Sequence, residues 1–375
     1  MLKDFLDYNW RKIDIYLVLL ATGLSYYGAM FIGSAAQGNL MNRQLQGLLL
    51  GVAAMLITAL IPYNFVLKFY WLIYAFCIAI LLLVRFFGDN VGEASRWFEI
   101  GGFRFQPSEL AKILLILFYA QFIMKHKDNL NTVRMILACV GLIIPPFYLI
   151  FDQPDLSTSI MVMVIFAVVM FVGGISYKII LGAMVVFVPA VIIFINMVLK
   201  EGQTILNDYQ RNRILAWLQP EKYAMTEAYQ TTNAIMAIGS GQLTGKGLNN
   251  NVIATVKNGN FISEAQTDFI FAVVGEEAGF IGCCVIIGLL FLIVLECIMV
   301  ARKAKDLAGS VIAGGMAGLI GFQTFINIGV VTGLLPNTGL TLPFVSYGLT
   351  SLVSLFIGIG FVINVKLQTP RETEF

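Results

Sequence analysis

The sequence predicts an all-α polytopic integral membrane protein with about ten transmembrane helices and one long extracellular loop. Hydrophobic residues make up 58% of the 375 residues and charged residues only 12%, a balance that a water-facing surface on a chain this long would not carry. Apolar runs long enough to cross about 30 Å of hydrocarbon recur from one end of the chain to the other. Basic residues gather on one side of those runs. The net charge of +2 points to neither a nucleic acid nor a polyanionic surface, so no nucleic-acid partner is expected.

Spans are expected at roughly 14–33, 45–61, 69–87, 108–124, 133–150, 156–173, 178–199, 267–300, 308–334 and 342–367. The first run lacks a small-residue cleavage site, so no cleavable signal peptide is expected. Placing both termini in the cytoplasm gathers Lys3, Arg11, Lys12, Lys68, Lys125, Lys127, Arg134, Lys178, Arg302, Lys303, Lys305, Lys366 and Arg371 on that side. The short opposite loops keep Arg43, Arg96 and Arg104, which is the asymmetry of the positive-inside rule. Residues 1–375 are read as a single transmembrane domain, with 200–266 as the long extracellular loop within it. No internal repeat is evident, which weakens a transporter built from inverted repeats. Cys77, Cys139, Cys283, Cys284 and Cys297 lie in apolar runs without metal-ligand spacing and read as buried packing residues. His126 sits in a short basic loop on the inner side, without a nearby nucleophile.

After the third span, aromatic residues and Arg96 and Arg104 suit a short element at the headgroup level. Pro107-Ser108 then reads as a helix start, with Glu109 and Lys112 three apart on one face. Two readings stand: a structural ion pair, or the lining of a hydrophilic opening. Asp152 to Thr158 forms the next outer turn, where Pro154 interrupts the backbone and Asp155 or Ser157 can cap the following helix. The same polar turn also suits a substrate-facing patch.

The long loop carries Arg211, Arg213 and Trp217 before Pro220, then a glycine-rich stretch from Gly239 to Gly247 that includes Lys246. Glycine permits close backbone approach and amides exposed to an anion, although Gly245-Lys246-Gly247 lacks the spacing of a phosphate-binding P-loop. These cations suit lipid headgroups or a phosphate-bearing substrate equally. The loop ends in Ser263-Glu264-Ala265-Gln266-Thr267-Asp268. Ser263 and Gln266 have capping-box spacing, which starts a helix there and puts Asp268 a little over one turn inside it. A helix N-terminus lowers a carboxyl pKa and burial raises it. A general base needs those effects in balance; the alternative is an ordinary helix-start residue.

Glu276 and Glu277 follow about 12–14 Å further along an ideal helix, where at least one needs a buried polar partner or a cavity. Gly275 and Gly279 offer a small face for close helix contact. Asn327, Gly329, Gly333, Pro336, Asn337 and Gly339 lead to Leu342-Pro343-Phe344-Val345-Ser346-Tyr347-Gly348. So many prolines and glycines at a span boundary need neighbouring protein or water, and read as a turn lining an outer cavity.

In this order the pieces resemble the RodA/FtsW family of shape, elongation, division and sporulation (SEDS) proteins, with a RodA-like member favoured. The resemblance rests on Phe105 to Leu110, Gln153 to Leu156, Arg211 to Pro220, Gly239 to Gly247, Thr267 to Ala272 with Glu276-Glu277, and Leu342 to Gly348. Four positions depart from the family pattern: Gln266 stands where histidine is common, Ser157 and Gln242 replace glycines, and Leu349-Thr350 follows Gly348 in place of glycine and serine.

The resemblance implies an inverting peptidoglycan glycosyltransferase at the outer face of the cytoplasmic membrane. Its substrate would be lipid II, a disaccharide-peptide on undecaprenyl diphosphate, and its role cell elongation and shape. Asp268 is then the catalytic base. Substrate-binding or cavity positions are Arg96, Glu109, Lys112, Asp155, Arg211, Arg213, Lys246, Gln266, Glu276 and Ser346. The family allows a divalent cation, but the sequence has no compact ligand set and none is assigned. A class B penicillin-binding protein transpeptidase is the implied partner, within the elongation or division machinery. The alternatives are a lipid II flippase, a scaffold for a partner synthase, or a division- or sporulation-specific member.

Overall fold

The computed structural model describes residues 8, 13–36, 40–91, 94–100, 103–153, 155–198, 208–226, 228–249 and 261–369. Lys3, Arg11, Lys12, Pro154 and Arg371 lie outside them. Helix α1 (Ile15–Ala35) is capped by Asp14, whose carboxylate accepts from the Leu17 amide at 3.0 Å. Helix α2 (Leu40–Leu60) follows, then a short α3 (Tyr63–Leu67) that starts behind Pro62, and α4 (Tyr70–Phe87). Helix α2 begins before residue 45 because Asn42, Arg43 and Gln44 form a polar first turn that can stand clear of hydrocarbon.

The next stretch is not helical. Strands β1 (Asp89–Val91), β2 (Ala94–Ile100) and β3 (Phe103–Phe105) form an antiparallel sheet in the order β1-β2-β3. Phe98 pairs with Phe105 and Ile100 with Phe103. Helix α5 (Pro107–Lys125) then starts with Pro107 in its first turn, where a missing N–H costs nothing. Helices α6 (Val133–Asp152), α7 (Leu156–Val172) and α8 (Tyr177–Val198) complete the first part.

The region read as a long loop carries two helices of its own, α9 (Asp208–Leu218) and α10 (Tyr229–Ser240). Helices α11 (Ile270–Lys303), α12 (Leu307–Val331) and α13 (Leu349–Leu367) end the chain. Eight helices among the described residues are long and apolar enough to cross a membrane, and two shorter apolar helices, α7 and the Tyr177–Val186 part of α8, join them. This is the all-α polytopic architecture expected from the sequence.

Helix α13 packs along α2, α11 along α12, and α12 also lies against α7 and α5. Helices α5, α12 and α13 therefore form the buried centre, while α4, α6 and α8 present exposed Phe86, Leu137 and Leu181. Apolar side chains facing outward are what a bilayer, as solvent, rewards. Cys77, Cys139, Cys283 and Cys297 are buried as expected; Cys284 is exposed, because it follows Cys283 around the helix and points the other way.

Two starts differ from expectation. Helix α11 begins at Ile270, and residues 262–269 are bends and turns, so Asp268 stands ahead of the helix and not inside it. Glu264 has φ of 55°, which a right-handed helix cannot contain. The Ser263 hydroxyl also does not cap, since it takes a hydrogen bond from the Gln230 amide side chain. Likewise α13 begins at Leu349, not near 342. Phe344 has φ of 65°, and the Leu342 amide turns back to Ser346 Oγ at 2.7 Å, which folds Leu342–Gly348 into a turn.

Helix α11 is broken at Gly279, where φ is 65° and ψ −162°. Residues 242–247 fill the break. The Lys246 and Gly247 amides donate to the Glu276 and Glu277 carbonyls at 2.9 Å each, and the Phe280 and Ile281 amides donate to Gln242 and Leu243 at 2.9 and 3.1 Å. The amides of Lys246 and Gly247 are therefore spent on α11 and not offered to an anion. Glycine is required at 279 twice over, because a Cβ would also lie 2.7 Å from the Leu243 carbonyl.

Candidate active site

One end of the bundle gathers polar residues that lie far apart in the sequence. Asp268 is fixed first through its backbone. Asn327 of α12, almost fully buried, donates its side-chain amide to the carbonyls of Asp268 at 2.8 Å and Leu340 at 2.6 Å. Ser346 Oγ donates to the Thr267 carbonyl at 2.6 Å, and the Tyr347 amide to that of Gln266 at 2.9 Å. Three successive carbonyls, 266 to 268, are thus held by elements other than their own helix. That accounting explains why the helix starts late.

The turn that supplies those donors is pinned in its own right. Gln44 of α2 donates to the Ser346 carbonyl at 3.2 Å. Gln323 of α12 donates to the Thr341 carbonyl at 3.0 Å and accepts from Lys112 at 3.0 Å. Lys112 also pairs with Glu109 at 2.8 Å, with both side chains buried. A lysine so deep is tolerable only because the carboxylate and the amide oxygen replace its water. Glu109 and Lys112 thus brace the Thr341 end of the turn.

The carboxylate itself is less committed. Among the described residues, no ion pair or side-chain hydrogen bond reaches it. Gly339, with φ of 76°, passes close by: a Cβ there would lie 3.2 Å from Asp268 Oδ2 and 3.9 Å from Arg213 Nη1. Arg213 is held by the Asn337 carbonyl at 3.4 Å. Asp268 remains half-buried by surface, yet protein crowds its carboxyl closely enough to govern its charge. Burial pushes the pKa up to about 6, Arg213 and Arg96 pull it down, and Asp155 and Glu264 push it up.

Asp155 caps α7 through the Thr158 amide at 3.1 Å, and its other oxygen accepts from Gln106 at 3.2 Å. Capping and a site-facing role are therefore the same geometry. Arg96, on β2, donates Nε to the Gln153 carbonyl at 2.9 Å, which ties the sheet to the turn before α7. Ser157 hydrogen bonds to the Thr338 carbonyl, closing the ring of elements around Asp268.

Other candidate residues lie elsewhere. Arg211 donates to the Val198 carbonyl at 3.2 Å, at the end of α8, so its guanidinium diverges from that of Arg213 two positions on. Lys246 pairs with Glu276 at 2.7 Å, and the Ser34 hydroxyl meets Glu277; these contacts brace the break in α11. Gln266 hydrogen bonds to Glu264 at 2.8 Å. Ser346 spends its hydroxyl on Leu342 and Thr267. Gln44, Gln106 and Gln323 were not singled out by the sequence reading. Their signal is a polar amide beside or within an otherwise apolar span, which needs a buried partner.

No group of three or more His, Cys, Asp or Glu side chains is placed to hold a metal ion among the described residues. Asp155 and Glu264 act on the charge of Asp268 without forming such a set with it.

Residues 10–371 match FTSW_RODA_SPOVE, a family described as cell cycle protein. The peptidoglycan glycosyltransferase MrdB of Escherichia coli is 36% identical over 360 residues, covering 95% of this chain and 94% of MrdB. The probable peptidoglycan glycosyltransferase FtsW of Bacillus subtilis is 34% identical over 389 residues, covering 98% of this chain and 93% of FtsW. Among solved structures, a chain from work on the structural coordination of polymerization and crosslinking by a peptidoglycan synthase complex superposes with a TM-score of 0.80. Its identity is 28%, over 95% of this chain and 98% of that one. The rod shape determining protein RodA of Thermus thermophilus superposes with a TM-score of 0.69 at 27% identity, over 96% of this chain and 98% of RodA. With the family match spanning nearly the whole chain and the fold shared end to end, this protein belongs to the FtsW/RodA/SpoVE family.

Proposed function

We infer that this protein is a peptidoglycan glycosyltransferase that polymerises lipid II for cell-wall synthesis, and that Asp268 is its catalytic base. The single observation that carries the residue assignment is the contrast at Asp268 between a clamped backbone and an uncommitted carboxylate beside Arg213. A base must be held in place and still be able to accept a proton.

In the reaction, the 4-hydroxyl oxygen of the acceptor sugar bonds to the anomeric carbon of the donor. The bond from that carbon to the lipid diphosphate breaks on the opposite face, so configuration inverts. Asp268 takes the hydroxyl proton as the new bond forms. Arg213 and Arg96 supply positive charge for the departing diphosphate, where charge-assisted hydrogen bonds are strongest. Near neutral pH the carboxyl, at about 6, is ionised and still basic enough to share the proton in the transition state.

The whole chain acts as one membrane domain with both termini cytoplasmic, which sets Asp268 at the outer face. The basic residues on the inner loops support that orientation. Exposed apolar flanks suit lateral pairing with a single-span class B penicillin-binding protein transpeptidase, and the family resemblance supports a role in elongation.

Purified protein in detergent, with lipid II as sole substrate, tests this reading. Glycan strands should form with no leaflets to cross, and a folded Asp268→Asn variant should form almost none. A purified, folded wild type without polymerising activity, or a variant as fast as wild type, would overturn it.

A further inference from the structure

The segment between α12 and α13 passes Asp268 as a strap held at fixed points. The Asn337 and Thr338 carbonyls accept from Arg213 of α9 and from Ser157 at the start of α7. The Leu340 and Thr341 carbonyls accept from Asn327 and Gln323 of α12, at 2.6 and 3.0 Å. Gly339 lies between the two pairs, and a Cβ there would stand 3.2 Å from Asp268 Oδ2. Asn327 reaches beyond the strap. The same side-chain nitrogen that binds Leu340 also donates to the Asp268 carbonyl, at 2.8 Å.

The orientation of that amide follows from its partners, because turning it over would set its oxygen against two carbonyl oxygens. Its own oxygen is buried and meets no hydrogen-bond donor among the described residues. A residue that served only to stabilise the fold would be poorly chosen here, since an unpaired buried acceptor works against folding. What the amide secures is a distance. One planar group ties residue 268 to residue 340, the neighbour of Gly339, through two bonds. The spacing between the Asp268 carboxylate and the strap is thereby set from α12.

We propose that Asn327 is a positioning residue of the catalytic base, acting through the backbone. It holds Asp268 in register with the Gly339 strap, and so sets where the carboxylate stands relative to Arg213 and to the acceptor hydroxyl. The inference rests on the glycosyltransferase reading for its reaction. Arg213, Arg96, Asp155 and Glu264 are the charged groups that act on the carboxyl, and none of them lies on α12. A slip of residue 268 against the strap therefore changes the surroundings of the carboxylate without removing any group from them.

Asn327→Leu keeps the volume and removes both bonds. With lipid II as substrate, its kcat should fall about 10²-fold, the cost of misplacing a reacting group by about 1 Å, while KM stays close to the wild-type value. The carboxyl gains water as its surroundings loosen, so its titration should move down from about 6 toward the ordinary value of about 4. Carbon NMR of aspartate-labelled full-length protein in micelles reads that shift without turnover, the Asp268 signal being the one missing from Asp268→Asn. Lys366→Met, destabilised far from the site, is the control and should leave the titration in place. Should Asn327→Leu fail to fold by circular dichroism, Asn327→Ser leaves room for water at the two carbonyls and should give the same fall in kcat and the same shift. Asn327→Gln, which keeps the amide on a longer arm, should retain more of the rate than either. A folded Asn327→Leu or Asn327→Ser with wild-type kcat, or with an unmoved titration, would overturn the proposal. An inactive wild type would count against the glycosyltransferase reading alone, and the titration would still decide the role of Asn327.

Discussion

The two ends of the helix bundle treat buried charge in opposite ways. At the end away from Asp268, Lys366 of α13 bridges Asp14, at the start of α1, and Glu296 of α11, at 2.7 Å each. Asp14 also caps α1, and Asn364 bonds to Tyr8 and the Ala59 carbonyl close by. Lys366, Asp14 and Glu296 are spent on holding helices together. At the other end, Glu109 and Lys112 are spent in the same way, but Asp268 has a clamped backbone and a carboxylate that no side-chain hydrogen bond reaches among the described residues. Buried carboxylates are therefore not equal as functional candidates. What separates Asp268 from Asp14 is chemical capacity left over after the fold has been satisfied.

The hardest test of that distinction is Asp268→Asn. Loss of a general base should lower polymerisation by about 10²–10⁴-fold, measured as glycan formed from lipid II. The same variant should melt a few degrees higher, because a raised carboxyl pKa means that its charge opposes folding near neutral pH. That contribution to stability is present below the unfolded value near 4 and is lost as pH rises through about 6. A variant that loses activity and melts lower would mean that Asp268 is spent on structure after all.

Next in size is Lys112→Met. It strands Glu109 in the bundle and should cost about 3–5 kcal/mol, whereas Lys112→Met with Glu109→Gln should recover much of the loss, read from thermal unfolding in micelles. Gly339→Ala sharpens the comparison from the other side. Holding alanine at φ of 76° costs about 1–2 kcal/mol, and its methyl would crowd the carboxylate, so activity should fall more than stability does.

Lowering the pH tests the carboxyl directly. With a pKa of about 6, the rate should fall with an acid limb near that value, approaching tenfold per unit below it. Lys366→Met, at the opposite end of the bundle, should lower stability and leave that limb in place. The smallest effect belongs to Gln266→Ala. Its side chain bonds to Glu264 and not to Asp268, so the rate should change only a few-fold.

These contrasts were only partly legible in the chain. The spans could be read because lipid imposes length and apolarity on each segment by itself, and α4 and α5 fall within a residue or so of their expected limits. Asp268 could be singled out as a carboxylate at a span boundary. Its local structure could not, since Ser263 and Gln266 have the spacing of a capping box and the competing partners come from Gln230, Asn327 and Ser346. Those partners are distant in sequence, and no local pattern contains them. The same limit hid the diverging directions of Arg211 and Arg213, which depend on what α8 and the segment after α12 offer. The sheet at 89–105 was legible in principle from its aromatic run and paired glycines, but residues that suit the headgroup level mask that signal.

The break at Gly279 carries a mechanical consequence. The four backbone bonds that bridge it tie residues 242–247 to α11 on both sides of the break, so that segment cannot lift away without stripping bonds from the helix. The short piece of α11 before the break, which begins just after Asp268, and the longer piece after it are both riveted to that segment by two bonds each. A load applied to residues 242–247 would reach the turn that carries Asp268 and the long piece of α11 together.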